Sequence, residues 1–290
     1  MYKKLATVLA ILSMTVYCSP AAAGQHATSN RNAADDSPWE TAYLNLGGYL
    51  AAMSSGFRIG GSNLGVGVDL DVEEFLGLDS SDTAFRIDAG YRFGKSRRHK
   101  IDFSWFSFKR KGTKYIDRQI EIPPELGGGT VGPGNFRSKF DFDIYKLKYE
   151  YSFILDDRVD VNTGIGLFLM PIEFGFDAII SGVVDERVEE SVTAPLPVIG
   201  IGFDIAITPD WLLKQQVDLF YLEIGSFKGS IVGYNLALEW NTWQHLGFGL
   251  GLDTLRVSVE SKGSDYPGVD FTGDVNFAYI GVQFYLKAYF

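Results

Sequence analysis

The chain is short of sulfur, of histidine and of long apolar runs. It has one cysteine, Cys18, and three histidines, His26, His99 and His245. A single cysteine excludes an internal disulfide framework. If Cys18 is lost with a leader, no thiol nucleophile or thiolate metal site remains either. After the first residues no stretch reaches the ~18 consecutive apolar residues of a transmembrane helix. Basic residues are also outnumbered, 26 Lys and Arg against 36 Asp and Glu, a net charge of −10. That balance argues against nucleic acid and anionic surfaces as partners.

What is present begins with a leader. Lys3 and Lys4 precede a short apolar stretch, residues 5–16, and Ala21-Ala22-Ala23 offers a small-residue cleavage site before Gly24. Residues 1–23 read as a signal peptide. Tyr17 before Cys18 departs from a lipidation pattern. Cleavage leaves 24 basic against 36 acidic side chains. Residues 24–38 are polar and read as a flexible periplasmic lead-in.

From residue 39 to residue 290 the pattern alternates with a period of two, the signature of strands with unlike faces. Phe85, Ile87, Ala89, Tyr91 and Phe93 face away from Arg86, Asp88, Gly90 and Arg92. Ten such segments are expected: 41–53, 83–93, 99–114, 136–153, 158–176, 188–207, 211–226, 230–240, 245–260 and 270–290. Short turns follow alternate strands and longer loops fill most other gaps, the asymmetry of a transmembrane barrel. The expected fold is all-β, a closed antiparallel up-and-down transmembrane β-barrel of about ten strands, with eight or twelve as alternatives. A soluble lipocalin-like barrel or sandwich is the competing fold. It accounts poorly for charges along the opposite face of long strands.

The last ten residues end on an aromatic. Ile280, Val282, Phe284, Leu286 and Ala288 form one apolar register, opposite Gly281, Gln283, Tyr285, Lys287 and Tyr289. With the leader at residues 3–23, this terminal register resembles Gram-negative outer-membrane β-barrel proteins over nearly all of the mature chain. The resemblance is to an architecture and implies location more than activity. It implies an outer-membrane barrel, with Phe290 as part of the insertion signal read by the barrel-assembly machinery. It also implies outer-membrane lipid and lipopolysaccharide as neighbours. A monomer is expected.

If the apolar faces meet lipid, the others line a lumen. A charge network of Arg86, Asp88, Arg92, Lys146, Lys148, Glu150, Asp204, Asp218, Glu239 and Lys287 is expected there, with Asp160, Lys214 and Asp253 beside it. Ten strands enclose a narrow interior, so mixed charges pair across it and no wide pore is expected.

The alternation changes register part-way along several strands. Ile101, Phe103 and Trp105 give way to Phe106 and Phe108; Tyr149, Leu147 and Tyr145 give way to Ile144, Phe142 and Phe140; Leu250 and Leu252 give way to Leu255 and Val257. Bulges, or packing into loops, are the preferred explanation, with Pro171 a natural bulge site. Without bulges, Phe106, Phe108, Phe140, Phe142, Leu255 and Val257 turn inward as an apolar cup for a lipid tail or hydrophobic ligand. Pro195 and Pro197 suggest either loosened pairing where loops begin or a lateral notch between the fifth and sixth strands.

Motifs for chemistry are sparse. His99 and His245 sit at short turns, away from the external face, so a Ser-His-acid arrangement has no base there. Gly127, Gly129 and Gly132 match a nucleotide-loop spacing without a following helix and read as an external loop. The acidic stretch 68–79 lacks calcium-loop spacing and reads as a solvated edge, with Phe75 and Leu76 packing into the mouth. Trp39, Trp211, Trp240 and Trp243 read as an aromatic girdle. No enzyme, cofactor or metal is expected. The expected role is structural or surface interaction, with a narrow channel or transporter for a small or hydrophobic solute as the alternative and a lipid-modifying barrel enzyme after that.

Overall fold

A strand with one lipid-facing side cannot leave its backbone edge unpaired in hydrocarbon, so the sheet must close. The computed structural model describes residues 37–290 except 60–67, 72–79, 117–119, 123–128, 132–133, 181–182, 226 and 267–268. Its ten barrel strands are β1 Ala42–Ile59, β2 Ser81–Phe93, β3 His99–Ile116, β4 Gly134–Leu155, β5 Val159–Ile180, β6 Val183–Ala206, β7 Trp211–Ile224, β8 Phe227–Trp240, β9 Leu246–Tyr266 and β10 Val269–Tyr289. Each pairs antiparallel with the next, and β10 closes on β1 from Tyr43 opposite Tyr289 to Arg58 opposite Asp274. A short strand, Val68–Asp71, adds to the far end of β1, and Ile120–Ile122 pairs with Gly129–Val131. The leader, the lead-in to residue 36, Phe75, Leu76, Gly127 and Gly132 lie outside the described residues.

The two ends of the barrel differ. At the short-turn end, residues 94–98, 156–158, 207–210 and 241–245 connect the strands. These turns are closed locally: Asp156 Oδ1 accepts the N–H groups of Arg158 and Val159 at 2.8 Å each. The backbone of Gly94 has φ +82°, a conformation that suits glycine. At the other end the strands run on. β4 and β5 have 22 residues and β6 has 24, about twice the ~9–11 needed to cross hydrocarbon. Much of the sequence expected as external loop is therefore strand. The added stretches, such as 177–180 and 261–266, carry no sustained alternation in the sequence.

The lipid band is visible on the outside. Leu44, Leu46 and Leu50 on β1, Ile280, Val282, Phe284 and Leu286 on β10, and Ile199, Ile201 and Phe203 on β6 are all exposed. Nearer the long-strand end outward positions turn polar, as at Thr254, Arg256 and Ser258 on β9. Trp211 and Trp240 stack with ring centroids 5.5 Å apart at the short-turn rim, and Trp243 is exposed beside them. Trp39 does not belong to this girdle. It is 4% exposed and lies inside the barrel end with Ala206 and Leu212, its indole N–H donating to the Asp156 carbonyl at 2.6 Å.

The expected bulges do not cause the change of register. β3 pairs with β4 without a shift from His99 opposite Tyr151 to Ile116 opposite Gly134. Register shifts fall instead near strand ends, at Ser152/Ile154, Ala178/Ile179 and Gly263/Tyr266. Pro171 interrupts pairing opposite Asp143 while the register stays the same on both sides. The apolar residues change face because the strand keeps its pleat while the sequence changes which face is apolar. Nor is there a notch between β5 and β6: Leu167 pairs with Pro197 and Leu169 with Pro195.

Candidate functional site: the barrel lumen

Alternation sends every second side chain inward, so each strand contributes a column to the lumen. Read from the short-turn end, the columns share one order. β4 contributes Ser152, Glu150, Lys148 and Lys146, then Ile144, Phe142 and Phe140. β9 contributes Gly247, Gly249, Gly251 and Asp253, then Leu255, Val257 and Val259. The lumen therefore has a small apolar base around Trp39, a charged middle and an apolar upper layer.

The charged middle is a set of linked ion pairs. Lys287, 0% exposed, meets Glu239 at 2.6 Å and Glu40 at 3.1 Å, while Lys214 meets Glu40 at 2.5 Å and Glu239 at 3.1 Å. These four form a ring of alternating sign, and the Tyr285 hydroxyl donates to Glu239 Oε1 at 2.8 Å. A second chain runs Asp102–Lys100–Glu150–Lys148–Asp218, with steps of 3.1, 2.7, 3.0 and 3.5 Å. Arg86 bridges Asp88 at 2.9 Å and Asp253 at 2.5 Å. Arg92 pairs with Asp160. Asp204 Oδ1 accepts the backbone N–H of Gln215 at 3.2 Å. Buried charges are tolerable only when paired in this way.

All ten expected network residues thus face the lumen. Lys146 is held differently from the others. Its ammonium lies 4.9 Å from the Phe168 ring centroid and 5.5 Å from that of Phe106, and Arg86 lies 5.2 Å from the same Phe106 ring. The Phe106 ring is the boundary between layers, offering its electron-rich face to the two cations. Glu40, Lys100 and Asp102 join the network without having been anticipated. The outward Ile101 and Phe103 already implied inward Lys100 and Asp102. Glu40 precedes β1, where alternation offers no guide.

The upper layer brings Phe106, Phe108, Phe140, Phe142, Leu255 and Val257 into one cluster, all between 0% and 6% exposed. Its rings are mutually packed: Phe108 to Phe142 at 5.0 Å, Phe142 to Phe277 at 4.7 Å, Tyr49 to Phe106 at 5.7 Å. These side chains fill the space against one another. A cavity of about 120 Å³ lies below them in the charged layer, bordered by Asn45, Gln283, Asp88, Lys146 and Asp218. Small residues make the packing fit: a Cβ on Gly249 would stand 2.0 Å from Tyr285 Cζ.

Both described histidines lie at the short-turn rim. His99 stacks on Phe93 at 5.4 Å and shares a 2.7 Å hydrogen bond with the Tyr149 hydroxyl; His245 stacks on Phe290 at 5.2 Å. The Phe290 carbonyl accepts the N–H groups of Thr41, at 2.6 Å, and Ala42, at 3.1 Å. Among the described residues no group of three or more His, Cys, Asp and Glu could hold a metal ion.

No protein-family model and no curated protein matches the chain. Among solved structures it is similar to the outer-membrane protease OmpT of Escherichia coli, with a TM-score of 0.50 and 9% identity over 86% of this chain and 97% of that one. Ail, the attachment invasion locus protein of Yersinia pestis, matches at a TM-score of 0.33 and 9% identity over 86% of this chain and 99% of that one. The toluene transporter TbuX of Ralstonia pickettii matches at 0.35 and 10% over 87% and 90%. The fold is that of a Gram-negative outer-membrane β-barrel.

Proposed function

We propose that this barrel is a closed, non-conducting scaffold whose work is done on its outer surface, by strands standing clear of the membrane. The reading rests on the filled lumen. An ion would have to pass Trp39, a charged layer linked by ion pairs, and an aromatic layer packed to near-zero exposure. Narrow apolar constrictions oppose ions because no group replaces the hydration shell. Surface interaction is supported by the length of β4, β5 and β6 beyond the lipid band. In the usual orientation of outer-membrane barrels, these ends face outward.

A non-enzymatic role is supported by both described histidines being engaged with aromatic rings at the opposite rim. The decisive test is planar-bilayer recording of the purified protein. The expected result is no conductance above the bilayer baseline, and well-resolved unitary steps would remove the proposal.

A further inference from the structure

The charged layer of the lumen does not balance. Seven Asp and Glu side chains border its cavity against five Lys and Arg, with Lys146 counted among the five. The next charges beyond the lining cancel, since Glu40 meets Lys287 and Asp160 meets Arg92. Two negative charges are left over in a layer that has Trp39 below it and Phe106 and Ile144 above it, all buried. A surplus at the surface is screened by salt, but one held in the interior has to be neutralised where it stands. Either two protons stay bound or a counter-ion enters.

The lining offers a counter-ion what it needs. The cavity, about 120 Å³, has room for about four waters at the ~30 Å³ each occupies in the liquid. Asn45 on β1 and Gln283 on β10 border it, 6% and 3% exposed, and neither Asn45 Oδ1 nor Gln283 Oε1 has a hydrogen-bond donor among the described residues. A buried carbonyl oxygen left in that state is costly, and an ion or a water at that oxygen removes the cost. Asp204 also borders the cavity. Its Oδ1 accepts the Gln215 N–H, and it forms no ion pair among the described residues. Protons answer only the surplus charge, whereas a cation answers both the charge and the two amide oxygens. Among the described residues no three of the acids converge to hold a metal ion. Spread negative charge with neutral oxygens and water suits a singly charged hard cation, which needs no carboxylate cage.

We propose that the lumen cavity binds one monovalent alkali cation, held by the surplus carboxylate charge and reached by Asn45 Oδ1 and Gln283 Oε1 directly or through water. One proton on a carboxyl then completes the balance. The ion is a structural counter-ion, and its presence is separate from conductance: bilayer recording reads passage along the axis, which a trapped ion does not make.

The test compares urea unfolding of the full barrel in phosphatidylcholine vesicles, followed by tryptophan fluorescence, in sodium, potassium and N-methylglucamine chloride at equal ionic strength. Unfolding admits and releases the ion, and the bulky organic cation does not fit the cavity. A ligand bound by the folded state alone raises the midpoint as its concentration rises. The proposal expects a higher midpoint in sodium or potassium than in N-methylglucamine, growing with the alkali cation concentration. It expects that difference to vanish in the Asn45→Leu, Gln283→Leu double variant. Equal native midpoints in the three salts overturn it, as does a difference that the double variant retains in full, which marks a general salt effect. Location is read independently on the native protein crystallised from rubidium chloride. An anomalous peak in the cavity is expected, and rubidium peaks confined to the outer surface, or none at all, overturn the proposal.

Discussion

The lower and upper halves of one lumen are filled by opposite chemistry. In the lower half Lys287, Glu239, Lys214 and Glu40 each depend on particular neighbours at hydrogen-bond distance. In the upper half Phe108, Phe142 and Phe277 depend only on being the right size in the right place. A buried ion pair contributes little net stability, yet losing one member leaves a stranded charge. An apolar layer forgives changes of shape that conserve volume and penalises holes. The same barrel therefore combines a half that is sensitive to identity with a half that is sensitive to volume.

The contrast is tested most severely at Lys287. Lys287→Ala leaves the two buried carboxylates Glu239 and Glu40 sharing Lys214 alone and is expected to cost about 3–5 kcal/mol, read as a shift in the urea midpoint of tryptophan fluorescence. Replacing the pair together, Lys287→Met with Glu239→Leu, leaves the Lys214–Glu40 contact in place. It is expected to restore most of that loss; a double variant as unstable as the single one would break the distinction. In the upper half Phe142→Ala is expected to cost about 3–5 kcal/mol, whereas Phe142→Leu should cost no more than about 1.5 kcal/mol. Equal effects from the two would show that identity matters there too.

Smaller effects sharpen the picture. Gly249→Ala places a Cβ against the Tyr285 ring and is expected to cost about 1–3 kcal/mol, seen in the same titration. At the turns, the Arg158 and Val159 N–H groups hold the Asp156 carboxyl below the usual carboxylate range. A depressed folded-state value means stabilisation that is complete above the unfolded-state value and lost as pH falls through the folded-state one. Asp156→Ala should therefore be slightly less stable than the native chain near neutrality, and the difference should close on acidification. A difference independent of pH would separate the turn from its carboxylate.

How much of this was legible in the sequence depended on whether one strand alone carried the information. Strand existence was legible because Phe85 to Phe93 and Ile280 to Ala288 each declare two faces on their own. The inward turn of Phe106 and Phe140 was legible as a change of pattern, but its cause was not. A slipped register and a change in which face is apolar give the same string of letters, and only the partner strand distinguishes them. Pro195 and Pro197 were legible as missing donors. Their places opposite Leu169 and Leu167 on β5 came only from the strand pairing. Trp39 and Glu40 were misread or missed because they precede β1, where no alternation constrains them.

The closure of β10 on β1 also governs time. Tyr43 finds its strand partner at Tyr289, and the Tyr49 hydroxyl reaches the Asp253 carbonyl 204 residues away in sequence. Contacts so distant form late, and chains rich in them fold slowly. The first strand must wait, with one edge open, for the last to be delivered. The ion-pair ring is complete only once Lys287, on the final strand, meets Glu239 and Glu40.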